Sequence, residues 1–337
     1  MTGPPGARVR VSAPGKLLLA GEYAVLTGAP CLVAAVSRRA RLELGVPSGG
    51  PANGSPDGSA GSPEWGPASA EALLARREAE QRLGPTVGDM RIDVSELRQD
   101  GRKLGLGSSA AAAAAAAGAV FAWHGRDLSA PEVRREVLAL AMAGHRAVAP
   151  EGSGADVAAA TLGGVVRFRR EGHAFEATPV AWPETLPVRV VWTGAEARTS
   201  DLVALVRALA EADPRSHRMA MDAIAEAAEA MAEASARADA PGLVAAAEAH
   251  GRAMADLGQR AGAPIVEARL AAVADLARGA GGAAKPSGAG GGDVALAFFP
   301  DDDAARQFEE ACSGRSLTLL SLALGSEGVR GEEMERW

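Results

Sequence analysis

The sequence predicts an α+β protein of two domains, and three observations carry that expectation. The chain opens on short alternating segments: Arg8 to Ser12 reads Arg-Val-Arg-Val-Ser, the two-residue period of a half-buried strand. Eight consecutive alanines, Ala110 to Ala117, follow later in the first half, and alanine is the best helix former. The second half holds long alanine-rich helical stretches and a few isolated apolar runs, the pattern of helices segregated from a small sheet.

A length of 337 residues is compatible with about two domains. Hydrophobic residues at 47% and charged residues at 23% suit a soluble chain with a sizeable core. Aromatics are only 4%, so Leu, Val and closely packed Ala must fill that core, which favours helices over a β-sandwich. The net charge is −7; a nucleic-acid partner would require a dense basic patch, and none is evident. Cys31 and Cys312 lie far apart and neither belongs to a CxxC pair, which argues against a disulfide scaffold or a cysteine-ligated zinc site. No apolar run approaches the ~18 residues of a membrane span, and the opening residues lack the apolar core of a signal peptide. A cytoplasmic protein with no membrane partner is expected, as a monomer or a homodimer.

Along the chain, Pro14-Gly15 is expected to end the first strand. Leu17–Ala20, Cys31–Val36 and Arg41–Leu44 read as further short strands with antiparallel pairing. Val46–Ala68 is rich in Gly, Pro, Ser and Asn and reads as a polar surface insert rather than an active-site lid. Ser69–Leu83 has helical periodicity, and Met90–Leu97 is a strand candidate. The alanine helix has almost no polar face, so it should be buried. Pro131–Ala149 continues as helix, with Pro131 suited to its first turn, and Thr161–Arg170 ends as a strand. Pro179–Pro187 is a proline-flanked connection containing Pro183, which sets the expected domains at 1–183 and 184–337. Val188–Trp192 begins the second as a strand. Helices follow at about Thr199–Ala212, Met219–Ala236, Gly242–Ala261 and Pro264–Gly279, then strands at Val294–Phe299 and Leu317–Leu324.

Three glycine-rich segments carry the chemistry. Lys103-Leu-Gly-Leu-Gly-Ser-Ser-Ala110 lies immediately before the alanine helix. Glycines let the backbone approach a ligand, and N–H groups at a helix N-terminus form an anion cradle. Its Gly105-Leu-Gly-Ser-Ser-Ala also fits the dinucleotide fingerprint, but no second strand carries the acidic residue that the fingerprint requires. Lys285-Pro-Ser-Gly-Ala-Gly-Gly-Gly-Asp293 leads into a strand. So many glycines there imply either a flexible hairpin or a very close approach of backbone or ligand. The third segment is Ser12-Ala-Pro-Gly-Lys-Leu-Leu-Leu-Ala-Gly-Glu-Tyr23.

Together these three segments resemble the motifs of the GHMP kinases, in the same order and with similar spacing, from Val11 to about Val329. Within that family the details are most similar to the phosphomevalonate kinase branch. Lys103 directly precedes Leu-Gly-Leu-Gly-Ser-Ser, Gly152-Ser-Gly-Ala-Asp-Val-Ala-Ala159 precedes a strand, and Trp192-Thr-Gly-Ala-Glu-Ala-Arg-Thr199 departs from the branch pattern by Arg198. The stretch Gly21-Glu-Tyr-Ala-Val-Leu-Thr-Gly28 is also similar to mevalonate kinases.

The resemblance implies a ribosomal-protein-S5-like N-terminal α/β domain and a ferredoxin-like C-terminal α+β domain. It implies ATP-dependent phosphoryl transfer with Mg²⁺ to phosphomevalonate, in the mevalonate route to isoprenoids, with mevalonate or another small molecule as the alternative acceptor. On that reading the backbone of Gly105, Leu106, Gly107, Ser108, Ser109 and Ala110 holds the ATP phosphates, and Ser108 ligates the metal. Lys103 serves the phosphoryl group, Lys16 the acceptor, and Asp156 takes or orients the acceptor proton. The alternative reading of Asp156 is a helix N-cap. Candidate acceptor contacts are Ser153, His145, Arg198, Lys285, Gly288, Ala289 and Gly290, and Glu151 is a candidate metal carboxylate. His124, His173, His217 and His250 show no metal spacing and read as surface or capping residues. A nucleotide-binding module without catalysis would lack Lys103, Asp156 or the serine pair, all of which are present.

Overall fold

The computed structural model describes residues 8–46, 64–183, 185–195, 197–315 and 317–332. Strand β1 (Val9–Ala20) continues through Pro14-Gly15, where the sequence suggests a break. Its antiparallel ladder with β2 (Cys31–Val46) is interrupted there instead: Pro14 pairs with Arg39 but Lys16 with Ala35, which leaves extra residues on β2. Proline has no N–H for a ladder, and a bulge is where a strand tolerates one. The runs expected at Cys31–Val36 and Arg41–Leu44 merge into this one strand of 16 residues.

Next come β3 (Gly66–Pro67), α1 (Ala70–Leu83), β4 (Asp89–Asp93) and the short pair β5 (Arg98–Gln99) and β6 (Arg102–Lys103). Helices α2 (Ser108–Trp123), α3 (Pro131–Val148) and α4 (Ala155–Leu162) follow, then β7 (Val165–Glu171) and β8 (Ala174–Val180). The strand expected to Leu97 stops at Asp93, and Ser95–Leu97 forms a 3-10 turn. Of the insert expected at Val46–Ala68, residues 47–63 lie outside the described residues. At its far end the Trp65 ring lies 4.9 Å from the Arg91 guanidinium and 5.7 Å from that of Arg10.

The second half comprises β9 (Val188–Trp192), α5 (Thr199–Ala212), α6 (Pro214–Ala236), α7 (Ala240–Ala261) and α8 (Ala268–Gly279). It ends with β10 (Ala283–Ser287), β11 (Val294–Phe298), α9 (Asp302–Cys312), β12 (Thr318–Leu320) and β13 (Arg330–Glu332). Helices α6 and α7 start earlier than periodicity suggests because Asp213 and Asp239 cap them, accepting from Ser216 N–H and Gly242 N–H.

Two sheets organise the chain. The first has seven strands in the order β13-β1-β2-β4-β3, with β7 pairing β2 and β8 pairing β7. The second has four, in the order β10-β11-β9-β12. The change of sheet falls between β8 and β9, across the proline-flanked connection. The division at 183/184 is incomplete, however, because β13 returns to pair with β1. Arg39 secures that return. Its guanidinium, 6% exposed, donates to the Ser12 hydroxyl and carbonyl and to the carbonyls of Glu327 and Gly328. Burial pushes its pKa down to about 10.

Helix α2 packs on β1 and β2 and touches α1, α3 and α4. All eight alanines are buried, and only methyl side chains let one helix approach so many neighbours at once. Cys31 and Cys312 are free and buried. Among the described residues no helix is long and apolar enough to cross a membrane.

Candidate active site

The break in the β1–β2 ladder turns Lys16 toward the glycine loop. Its amide donates to the Leu106 carbonyl at 2.8 Å, and its ammonium donates to the Gly105 carbonyl at 3.2 Å. Gly105 and Gly107 have φ of 73° and 75°, values at which any side chain is strained. A Cβ on Gly105 would come within 2.7 Å of the Asp293 side chain, and one on Gly107 within 2.9 Å of Lys16 Cγ. The loop is lodged between the first strand and the residue that closes the third glycine-rich segment.

Helix α2 begins directly after this loop. Gly107 is its N-cap, and no side chain caps it. The amides of Ser108, Ser109 and Ala110 therefore lie at the positive end of a helix that offers them no acceptor of its own, which is a built anion site. Leu106 and Ala110 are buried and can contribute backbone only. The Ser108 hydroxyl stands at the first helical position. Among the described residues no group of three His, Cys, Asp or Glu side chains is arranged to hold a metal. The donor set fits Mg²⁺ only as an ion that would be carried mainly by phosphate oxygens and water, to which the Ser108 hydroxyl would add one oxygen.

Beside Lys16 opens a cavity of about 190 Å³. Lys16, Glu22 and Tyr23 form one wall, Ser153 and Asp156 a second, and Gly288 and Ala289 a third. Asp156 is not the helix cap: Gly154, at φ 89°, holds that position, and the Ser153 hydroxyl accepts from Ala155 N–H at 3.2 Å. The Asp156 carboxylate stands half-buried in the first turn of α4, accepting from Val157 N–H at 2.9 Å. A neighbouring cavity of about 420 Å³ shares Leu26 and Glu151 with the first and is lined by Arg169, Arg170 and Arg207.

Several expected contacts are not brought to this cavity. Lys285 is buried inside β10, its ammonium donating to the Leu18 carbonyl and to Glu22. His145 is buried on α3, with Nε2 3.5 Å from the Ser109 hydroxyl, behind the loop rather than in the cavity. Arg198 is exposed just before α5, while Thr199 lines the cavity mouth. Gly290 faces away: a Cβ there would meet the Ile265 carbonyl at 2.2 Å. Lys103 is exposed on β6 and is not in the cavity wall. Glu151, by contrast, does line the cavity, and it pairs with Arg207.

Sequence reasoning missed Glu22, Tyr23 and His250. Tyr23 holds φ 62°, a conformation costly for a large side chain that recurs at functional sites, and its hydroxyl donates to the Ala289 carbonyl at 2.6 Å. Burial, with the Glu22 charge, pushes that phenol's pKa up, so it stays a donor. His250 is fully buried rather than superficial. Burial raises the Glu22 carboxyl against the pull of Lys285, lowers Lys285, and holds His250 well below the usual imidazole range. The carboxylate–ammonium pair offsets part of these costs, and the imidazole stays neutral.

A positive helix end, joined through Lys16 to a cavity that also holds the Asp156 carboxylate, suits the transfer of a phosphate group. Comparison with known proteins agrees with that class. The family model for the GHMP kinases N terminal domain matches residues 72–164, and that for GHMP kinases C terminal matches residues 201–315. The chain is 30% identical to a phosphomevalonate kinase of Streptomyces sp., over 87% of this chain and 90% of that protein. It is 32% identical to a mevalonate kinase of Aeropyrum pernix, over 96% and 98%. A crystal structure of a Listeria innocua protein has a TM-score of 0.81 at 23% identity, covering 97% of this chain and all of the other. The chain belongs to the GHMP kinase family, and it has that family's two-domain fold of mixed helices and sheets.

Proposed function

We propose that this kinase transfers the γ-phosphoryl group of ATP to phosphomevalonate, giving diphosphomevalonate and ADP. The observation that carries the choice of acceptor is the arginine-lined cavity beside the Lys16–Asp156 cavity. An acceptor that already bears a phosphate needs cationic surroundings beyond those serving ATP, and Arg169 and Arg170 supply them, Arg207 being paired with Glu151. The Streptomyces relative supports the same reading.

In this mechanism the amides of Gly105 to Ala110 hold the triphosphate and Ser108 adds a ligand for Mg²⁺, which when bound neutralises phosphate charge. Lys16 lies between the loop and the cavity, so it stabilises charge on the group in transit. Asp156 holds the acceptor oxygen in line and takes whatever proton it carries. A P–O bond forms to that oxygen as the bond from the γ-phosphorus to ADP breaks. Among the described residues no cation other than Lys16 lines the cavity, which leaves Lys103 a supporting role at the loop's entry.

The second reading is a mevalonate kinase, favoured by the Aeropyrum pernix relative and by the small volume of the Lys16–Asp156 cavity. Steady-state assays with ATP and each acceptor separate the two. Turnover of mevalonate without turnover of phosphomevalonate overturns the choice made here. The pH profile adds a second criterion: a phosphomonoester acceptor ionises near pH ~6, so its rate should rise through that value, whereas an alcohol acceptor has no such step.

A further inference from the structure

Glu22, Lys285 and His250 come from three elements, the turn after β1, strand β10 and helix α7, and meet behind the acceptor cavity with 2%, 1% and 0% exposure. One oxygen of Glu22 accepts from the Lys285 ammonium and from the Gly288 amide, the latter at 3.3 Å. The other lies 3.1 Å from His250 Nε2 and has no hydrogen-bond partner. His250 Nε2 accepts from the Gly21 amide at 2.8 Å, which fixes the residue next to Glu22. Beyond Lys285, the Ser287 hydroxyl donates to the Leu18 carbonyl at 3.0 Å and accepts from the Leu18 amide at 2.9 Å.

Three buried ionisable groups are a poor way to gain stability, since apolar residues of similar volume do as well or better. What this arrangement does supply is a unique register. It holds Gly21–Tyr23 against Ser287–Ala289, and those two segments contribute two walls of the cavity. We infer that His250 and Lys285 are positioning residues: acting through Glu22 and its neighbours, they fix the Gly288–Ala289 wall and so set affinity for the acceptor rather than for ATP. The assignment to the acceptor rests on the functional reading above; the fixing of the wall does not.

The test is His250→Leu, with His250→Gln as the conservative variant, because a glutamine amide can accept from Gly21 and donate to Glu22. His250→Leu should raise the acceptor KM about tenfold, the effect of one lost buried hydrogen bond, and leave the KM for ATP within about twofold. His250→Gln should restore most of that loss. Lys285→Met leaves a buried carboxylate without its cation and threatens folding, so it is made together with Glu22→Gln; this double variant should fold and still show the raised acceptor KM. Amide hydrogen exchange across residues 18–24 and 287–293 should be faster in His250→Leu. Equal rises in both KM values, or a lowered Tm with unchanged KM values and unchanged exchange, overturn the inference. If the wild-type protein phosphorylates neither acceptor, the functional reading fails instead, and exchange alone decides whether the wall is held this way.

Discussion

The ammonium of Lys16 braces the carbonyl of Gly105, 89 positions further along the chain, at 3.2 Å. The same side chain forms part of the wall of the cavity it shares with Asp156, so one cation spans the glycine loop and the cavity. Lys16→Met should lower kcat by about 10²–10³-fold, the usual cost of removing a donor aimed at developing charge. Steady-state kinetics would show it. Undiminished kcat would assign the phosphoryl group to another cation, with Lys103 the next to examine.

Asp156→Asn should lower turnover by about 10²–10⁴-fold, the range for a positioned acid or base. ATP affinity, measured by equilibrium titration, should stay unchanged, because Asp156 is on α4 and the phosphate loop precedes α2. Near wild-type turnover would reduce Asp156 to its hydrogen bond with Val157.

Glu43 is a pH-sensitive element of the first sheet. Its carboxylate is buried between Arg10 and Arg91. Burial alone would raise its pKa, but the hydrogen bonds from the two guanidinium groups outweigh burial and hold it below the usual carboxylate range. A depressed carboxyl contributes stability above its unfolded pKa of about 4.3 and loses it as pH falls through the folded value. Glu43→Gln should therefore lower Tm at pH 7, and its difference from wild type should narrow in more acidic buffer. A difference that stays constant with pH would remove Glu43 from the acid transition.

Ala114→Leu tests the packing of α2. Ala114 is fully buried in a helix that touches both long strands and three other helices. Extra methylene groups there have nowhere to go, and stability should fall by about 1–3 kcal/mol or more. Thermal unfolding checks it; an unchanged Tm would mean that the neighbouring helices move apart at little cost.

Much of this architecture can be read from local signals. The alanine run marks α2, and the Gly105–Ser109 loop before it marks the anion site, because both depend on residues adjacent in sequence. Lys285 shows where such reading stops. A lysine at the start of a glycine-rich segment reads as a candidate acceptor contact, yet it lies in a strand whose five residues are all buried. Its partner Glu22 is 263 positions away. A signal for that pair does exist: Glu22 is a lone acid inside Leu-Leu-Leu-Ala-Gly-Glu-Tyr-Ala-Val-Leu, and a carboxylate in apolar surroundings needs a cation. His250 could have been found in the same way. It falls in line with Leu243, Ala247, Met254 and Leu257 at helical spacing, on the face that α7 buries. Pro14 misleads for the opposite reason, since the bulge that accommodates it is set by β2 rather than by its own neighbours.

The Arg39 clamp also has a consequence for synthesis. Its carbonyl partners at Glu327 and Gly328 are 288 and 289 positions downstream, roughly 15–60 s of translation at typical elongation rates of ~5–20 residues per second. Through that interval the nascent chain carries an arginine destined for the interior with half its acceptors not yet made, and the free edge of β1 stays available to strangers. Closure of the amino-terminal sheet must wait until Arg330–Glu332 have been made and can pair with β1, so a ribosome stalled in the second-half helices would hold a chain whose first-made sheet is still open.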